Sequence, residues 1–185
     1  MKNIKIYLAS FLFIVVTMGT ATADNHGIAE KVNGKEVYVM NLPVAEYEVL
    51  GHVSLDMTSE RTLDNTIEQL VVKAIQKQSE FGTVDAIITR DGRSAMCIRF
   101  TGENKGQTRL VKSFSRDLYM YSTPEKEYTI ITTGNQTKTI SQTEPMYEIA
   151  RLFTTGAANQ INDRVDSPVD GVIIRGEKVD YIKYK

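Results

Sequence analysis

The stretch that decides the architecture is Val84 to Phe100, VDAIITRDGRSAMCIRF, which returns near the C-terminus as Val169 to Tyr184, VDGVIIRGEKVDYIKY. With Asp91 set aside, the two align from end to end. Val84/Val169, Asp85/Asp170, Ile88/Ile173, Arg90/Arg175, Gly92/Gly176 and Ile98/Ile182 are identical, and Phe100/Tyr184 is a close substitution. Each stretch reads as two short strands joined at a turn, with Asp91-Gly92 and Gly176-Glu177 supplying the residues that a two-residue hairpin requires. The likeness extends upstream. At a constant offset Val37-Tyr38-Val39 matches Leu118-Tyr119-Met120, Pro43 matches Pro124, and Glu46-Tyr47 matches Glu127-Tyr128.

Between these strands the first half carries a helical pattern. Leu63, Ile67, Leu70, Val71, Ala74 and Ile75 share one face, Thr62 is placed to cap the start, and Gly82 to stop the run. Ile149, Leu152 and Phe153 stand at matching places in the second half, behind a helix start at Glu144-Pro145. Tyr47 to Leu55 alternates as a half-buried strand, with Leu50 breaking the alternation. The expected fold is therefore α+β: a tandem duplication of a strand–strand–helix–strand–strand unit, each helix packed on an antiparallel-rich sheet. Repeat 1 spans 36–100, a polar connector 101–114, and repeat 2 115–185.

The N-terminus sets the compartment. Lys2 and Lys5 precede an apolar run from Ile6 to Met18 and the small-x-small Ala21-Thr22-Ala23. That order describes a secretory signal peptide over 1–23, and the apolar run is shorter than the roughly 20 residues a bilayer span needs. The expected product is periplasmic or secreted, without stable membrane insertion after cleavage. Residues 24–35, polar and containing Gly27 and Gly34, read as a mobile tail. The formal charge is −1, becoming −3 once Lys2 and Lys5 leave. With no basic run, nucleic acid is not an expected partner. Cys97 is the lone cysteine, so stability must come from packing and not from a disulfide.

The run Tyr47 to Gly51 (YEVLG), a helix ending Lys73 to Gln78 (KAIQKQ), and Val84 to Ile88 (VDAII) resemble small bacterial domains of the heavy-metal-binding type. A P-x-x-E-Y step (Pro43 to Tyr47, Pro124 to Tyr128), followed by a hairpin ending in Ile, a basic residue and an aromatic, is similar to exported bacterial proteins of unassigned function. The likeness covers residues 37–100 and 118–184. It implies a fold and carries over no metal ligands, because no cysteine or histidine pair stands at ligand spacing.

Candidate chemistry is sparse. His52 lies on the polar face of its strand, and Cys97 between Met96 and Ile98 reads as a small packed side chain. Glu46/Glu127 and Asp85/Asp170 recur with the fold and read as strand-end charges. Arg90 and Arg175 form a candidate ligand-binding pair for an anionic group. Cleavage after Ala23 would expose Asp24-Asn25-His26, whose amine, two amides and imidazole can close a square-planar set for Cu(II) or Ni(II). No catalytic residue and no cofactor emerges. The function expected is a non-enzymatic binding or interaction module of the bacterial envelope, meeting a protein or surface polymer. The alternative is a metal-binding or metal-responsive periplasmic protein using Asp24-Asn25-His26.

Overall fold

The structure, a computed structural model, describes residues 25–56, 61–113, 116–135 and 168–185. The first described strand, β1 (His26–Val32), turns at Asn33-Gly34 into β2 (Lys35–Val39). β3 (Leu42–Pro43) and β4 (Tyr47–Ser54) follow, then α1 (Leu63–Gln76), the single turn α2 (Gln78–Phe81), and the hairpin strands β5 (Ala86–Thr89) and β6 (Ser94–Phe100). β7 (Gln107–Arg109) and β8 (Val111–Ser113) lead to β9 (Arg116–Met120), β10 (Ser122–Pro124), β11 (Tyr128–Asn135), β12 (Gly171–Arg175) and β13 (Lys178–Tyr184).

The α+β reading is corrected here. Thirteen strands against two helices among the described residues make the protein mostly β, and its sheets are mixed. One sheet of eight strands runs β3-β7-β1-β2-β5-β6-β4, with β10 added on β1; the other, of five, runs β11-β13-β12-β9-β8. β2 lies parallel to β5 and β9 parallel to β12, while the remaining ladders are antiparallel. The unit of the fold is thus not a sheet carrying its own helix. The second helix expected from Glu144-Pro145, like the signal peptide over 1–23, lies outside the described residues.

Residues 26–32 are strand and not tail. β1 pairs with β2, β7 and β10, so Gly27 and Ile28 have strand neighbours on both sides. The expected connector likewise contains β7 and β8. At the first hairpin β5 ends at Thr89 and β6 starts at Ser94, so the turn is longer than the two residues expected. The Asp91 carboxylate organises it, accepting from the Arg93 and Ser94 amides at 2.8 and 2.9 Å. The second hairpin does have a two-residue turn, with Arg175 opposite Lys178.

Helix α1 forms as its sequence requires. The Thr62 hydroxyl accepts the Asn65 amide at 3.3 Å, Asp64 sits in the first turn, and Leu63, Ile67, Leu70, Val71 and Ala74 are buried. That face joins Val37, Val39, Val53, Ile87 and Cys97 of the first half and Leu118, Met120, Val172, Ile174 and Val179 of the second in one core. Each large side chain buried there contributes on the order of 1.5–3 kcal/mol. Smaller clusters cover the outer sheet faces: Tyr38, Ile88, Ile98 and Phe100 on one, Tyr119, Ile173 and Ile182 on the other.

The turn between β12 and β13 meets α1 at Gly176. Its φ is 54°, and a Cβ placed there would collide with the Asp64 carboxylate. Gly34 also has a positive φ, 77°, but faces open space. Gly34→Ala is therefore expected to cost about 1–2 kcal/mol from backbone conformation alone. Gly176→Ala is expected to cost clearly more, read as a larger fall in the urea midpoint at unchanged slope.

Candidate functional site

Among the described residues, the strand order of each sheet has one short end and one long one. β3 and β8 are two and three residues, whereas β4 and β11 are eight each. Both long edges carry a bulge at the same place, between Val49 and Gly51 on β4 and between Ile130 and Thr132 on β11. The extra residues, Leu50 and Ile131, pack on the central core, which explains why Leu50 breaks the alternation of its strand. Their predecessors are turned outward: Val49 is 49% exposed and Ile130 46%. The two edges differ in charge. β4 carries Glu48, ion-paired with Arg99, and His52; β11 (YTIITTGN) carries no charge at all.

The buried acids are fastenings. Glu36 accepts the Tyr38 hydroxyl at 2.8 Å and the Gly106 amide at 3.0 Å, anchoring the turn before β7. Asp117 accepts the Tyr184 hydroxyl and the Asn25 side-chain amide, each at 2.6 Å, and Tyr119 and Tyr184 oxygens are 2.6 Å apart. With the Tyr184 hydroxyl donating to Asp117, the Tyr119 hydroxyl donates to Tyr184. Burial is the main cause pushing the phenols up, Tyr119 to about 12 and Tyr38 and Tyr184 further, with the Glu36 and Asp117 bonds adding to the last two. These phenols stay protonated donors. Asp85 and Asp170 do the same work in both halves, accepting the Phe100 amide at 3.0 Å and the Tyr184 amide at 2.9 Å. Their recurrence is thus structural, while at Glu46 and Glu127 the recurring bonds are those of the main chain, whose carbonyls receive the Thr101 and Lys185 amides.

The structure separates the sequence-selected site residues. Arg175 lies against Glu30, where the two form an ion pair without a well-aligned hydrogen bond. Arg90 is exposed and lines a cleft with His52 and Met96. The two arginines therefore have different neighbours. Asp24 lies outside the described residues. The Asn25 side chain is held by Asp117 and Lys126, and the His26 carbonyl accepts the Glu125 amide at 3.3 Å within the sheet. Closing a square-planar set would draw the Asn25 and His26 amides around one ion and so pull the start of β1 from its neighbours. Among the described residues, no group of three His, Cys, Asp or Glu side chains is placed to hold a metal.

Sequence reasoning missed the meeting of halves around Glu30, Asp64, Tyr121 and Arg175. Tyr121 follows β9 at φ 50°, and its hydroxyl donates to the Asp64 carboxylate. Met40, at the matching place after β2, has φ 61°. Neither residue type favours this region, so a propensity reading gives no sign of it; the only signal is the fixed offset that pairs the two positions.

No family model, curated protein or solved structure matches this chain, so function is argued from its own geometry.

Burial raises the Glu30 carboxyl, Arg175 lowers it and Asp64 raises it again, with a net upward shift. An acid with a raised folded pKa binds its proton more readily folded than unfolded, so its share of stability falls as pH climbs from the unfolded value through the folded one. Glu30→Gln is therefore expected to leave stability at pH 7 unchanged or higher, and to flatten its fall between pH 4 and 7, in urea titrations across that range. A clear loss at pH 7 would show that the ion pair with Arg175 outweighs burial. Cys97 is fully buried and burial raises its thiol to about 11. Iodoacetamide is expected to label it only after unfolding, as read by intact mass.

Proposed function

We propose that this protein is an exported, non-enzymatic interaction module of the bacterial envelope, which receives an extended segment of a partner protein as an added strand along β11. The observation that carries the reading is the character of that edge. Edge strands offer a row of backbone donors and acceptors, and proteins blunt them by shortness, charge or bulging. β3 and β8 are blunted by length, and β4 by Glu48 and His52 as well as its bulge. β11 is long and uncharged, with Thr129, Ile130, Thr132 and Thr133 exposed, and among the described residues only the bulge limits it.

Strand addition draws affinity from main-chain hydrogen bonds and selectivity from alternate side chains. An uncharged receiving strand favours an uncharged, β-branched segment, since a charged one would lose hydration without gaining a partner. The non-enzymatic part of the reading rests on the roles of the perturbed groups. The tyrosines with raised pKa serve as donors to structural acids or are packed, and Cys97 is sealed in the core. No described helix is long and apolar enough to cross a membrane.

The test is capture from the envelope fraction by the mature protein, with amide exchange measured on the complex. Ile130→Lys and Thr132→Lys are expected to abolish capture with melting unchanged, and Val49→Lys on β4 to leave it intact. Amides of residues 128–135 should slow their exchange when the partner is bound. Capture indifferent to the β11 substitutions, or protection confined to other strands, would reject the reading.

A further inference from the structure

The two ladders can be compared place by place. One step beyond the bulge, Gly51 faces Cys97 and Thr132 faces Tyr181; the next pairs are His52 with Met96, and Thr133 with Asp180. The Met40 amide donates to the Thr89 carbonyl and the Tyr121 amide to the Ile174 carbonyl, which makes Arg90 and Arg175 counterparts as well. In the second ladder this neighbourhood is satisfied from within. Asp180 accepts the Thr133 hydroxyl at 2.6 Å and pairs with Lys178 at 2.9 Å, while Arg175 is held by Glu30.

In the first ladder Met96 stands where the acid would be. Arg90 and His52 are exposed, and neither makes a hydrogen bond or ion pair among the described residues. Together with Ile88, Asp91, Ser94 and Met96 they line a cleft of about 250 Å³. Asp91 keeps its charge but forms no ion pair with Arg90: its carboxylate accepts within its own turn from the Arg93 and Ser94 amides and, at 3.1 Å, the Ser94 hydroxyl. Burial raises that carboxyl, but these bonds together hold it below its usual value, so it stays an acceptor fixed in the turn.

We infer that this cleft binds a small carboxylate carrying a short apolar chain, which takes the place that Asp180 fills in the second ladder and gives Arg90 the acidic partner that Glu30 gives Arg175. Arg90 presents the planar fork that carboxylates match in bidentate fashion, with His52 as a second polar contact. Ile88 and Met96 form the floor for the chain. The volume lies below the range of drug-sized sites, about 300–1,000 Å³, so the ligand is small. This site is on β4–β6–β5 and does not depend on strand addition at β11.

The test is titration of the full mature protein with hexanoate, followed by backbone amide shifts, with hexanamide as the uncharged control. Hexanoate is expected to give saturable shifts at His52, Ala95 and Met96, and hexanamide none. Arg90→Gln, at an exposed position, should weaken binding by about tenfold or more, the scale of a lost charge-assisted pair. Met96→Asp, which installs the acid of the second ladder, should remove it. Shifts that do not saturate through millimolar hexanoate, or equal affinity in Arg90→Gln, would overturn the inference.

Discussion

The pairing of β1 on both of its edges is the constraint on which the rest of the fold depends. Its Ala29 amide donates to the Gly106 carbonyl at 2.7 Å on one side, and its Glu30 amide to the Tyr121 carbonyl at 2.8 Å on the other. The first of these partners lies in the segment joining the halves, and the second in the C-terminal half. The strand at residues 26–32 is thereby fixed between segments some 75 and 90 residues away. Asn41 works in the same direction: buried after β2, it donates to the Leu118 carbonyl at 3.3 Å and accepts the Val111 amide at 2.9 Å. Unpaired, these buried polar groups would each cost about 1–3 kcal/mol, so the halves are held in one arrangement by directional bonds as well as by the core they share.

That constraint explains what could be read in the sequence and what could not. α1 was legible because its cap, its apolar face and its first-turn acid are all local to residues 62–76. β5, β6, β12 and β13 were legible because two independent copies of the same hairpin point to the same register. β1 was not. HGIAEKV has two charges, a glycine and no alternation, and its order comes from partners distant in sequence. β3, β7, β8 and β10, at two or three residues each, are too short for any periodicity to accumulate. Once these pieces count as strand, the balance shifts from α+β to mostly β.

The candidate sites divide on the same lines. Asp85 and Asp170, which recur with the hairpin, were legible as scaffold: their carboxylates receive equivalent amides. Arg90 and Arg175 recur in the chain but diverge in space, because Glu30 reaches only the second. Recurrence in sequence thus predicts a common backbone and does not predict a common partner. The contacts of a side chain are set by whatever strand is laid beside it, and β1 is laid beside one half's arginine only.

The tyrosines make the final point. Tyr38, Tyr119, Tyr121 and Tyr181 are all buried. Three of the four donate from the interior: Tyr38 to Glu36, Tyr121 to Asp64 and Tyr119 to Tyr184, which itself donates to Asp117. A phenol is well suited to that task, since it fills volume while satisfying an acid that would otherwise be costly to bury. The aromatic and acidic residues most suggestive of function are thereby committed to holding the fold. Among the described residues, the groups the fold leaves without internal partners are the neutral backbone edge of β11, and Arg90 with His52 above an apolar floor.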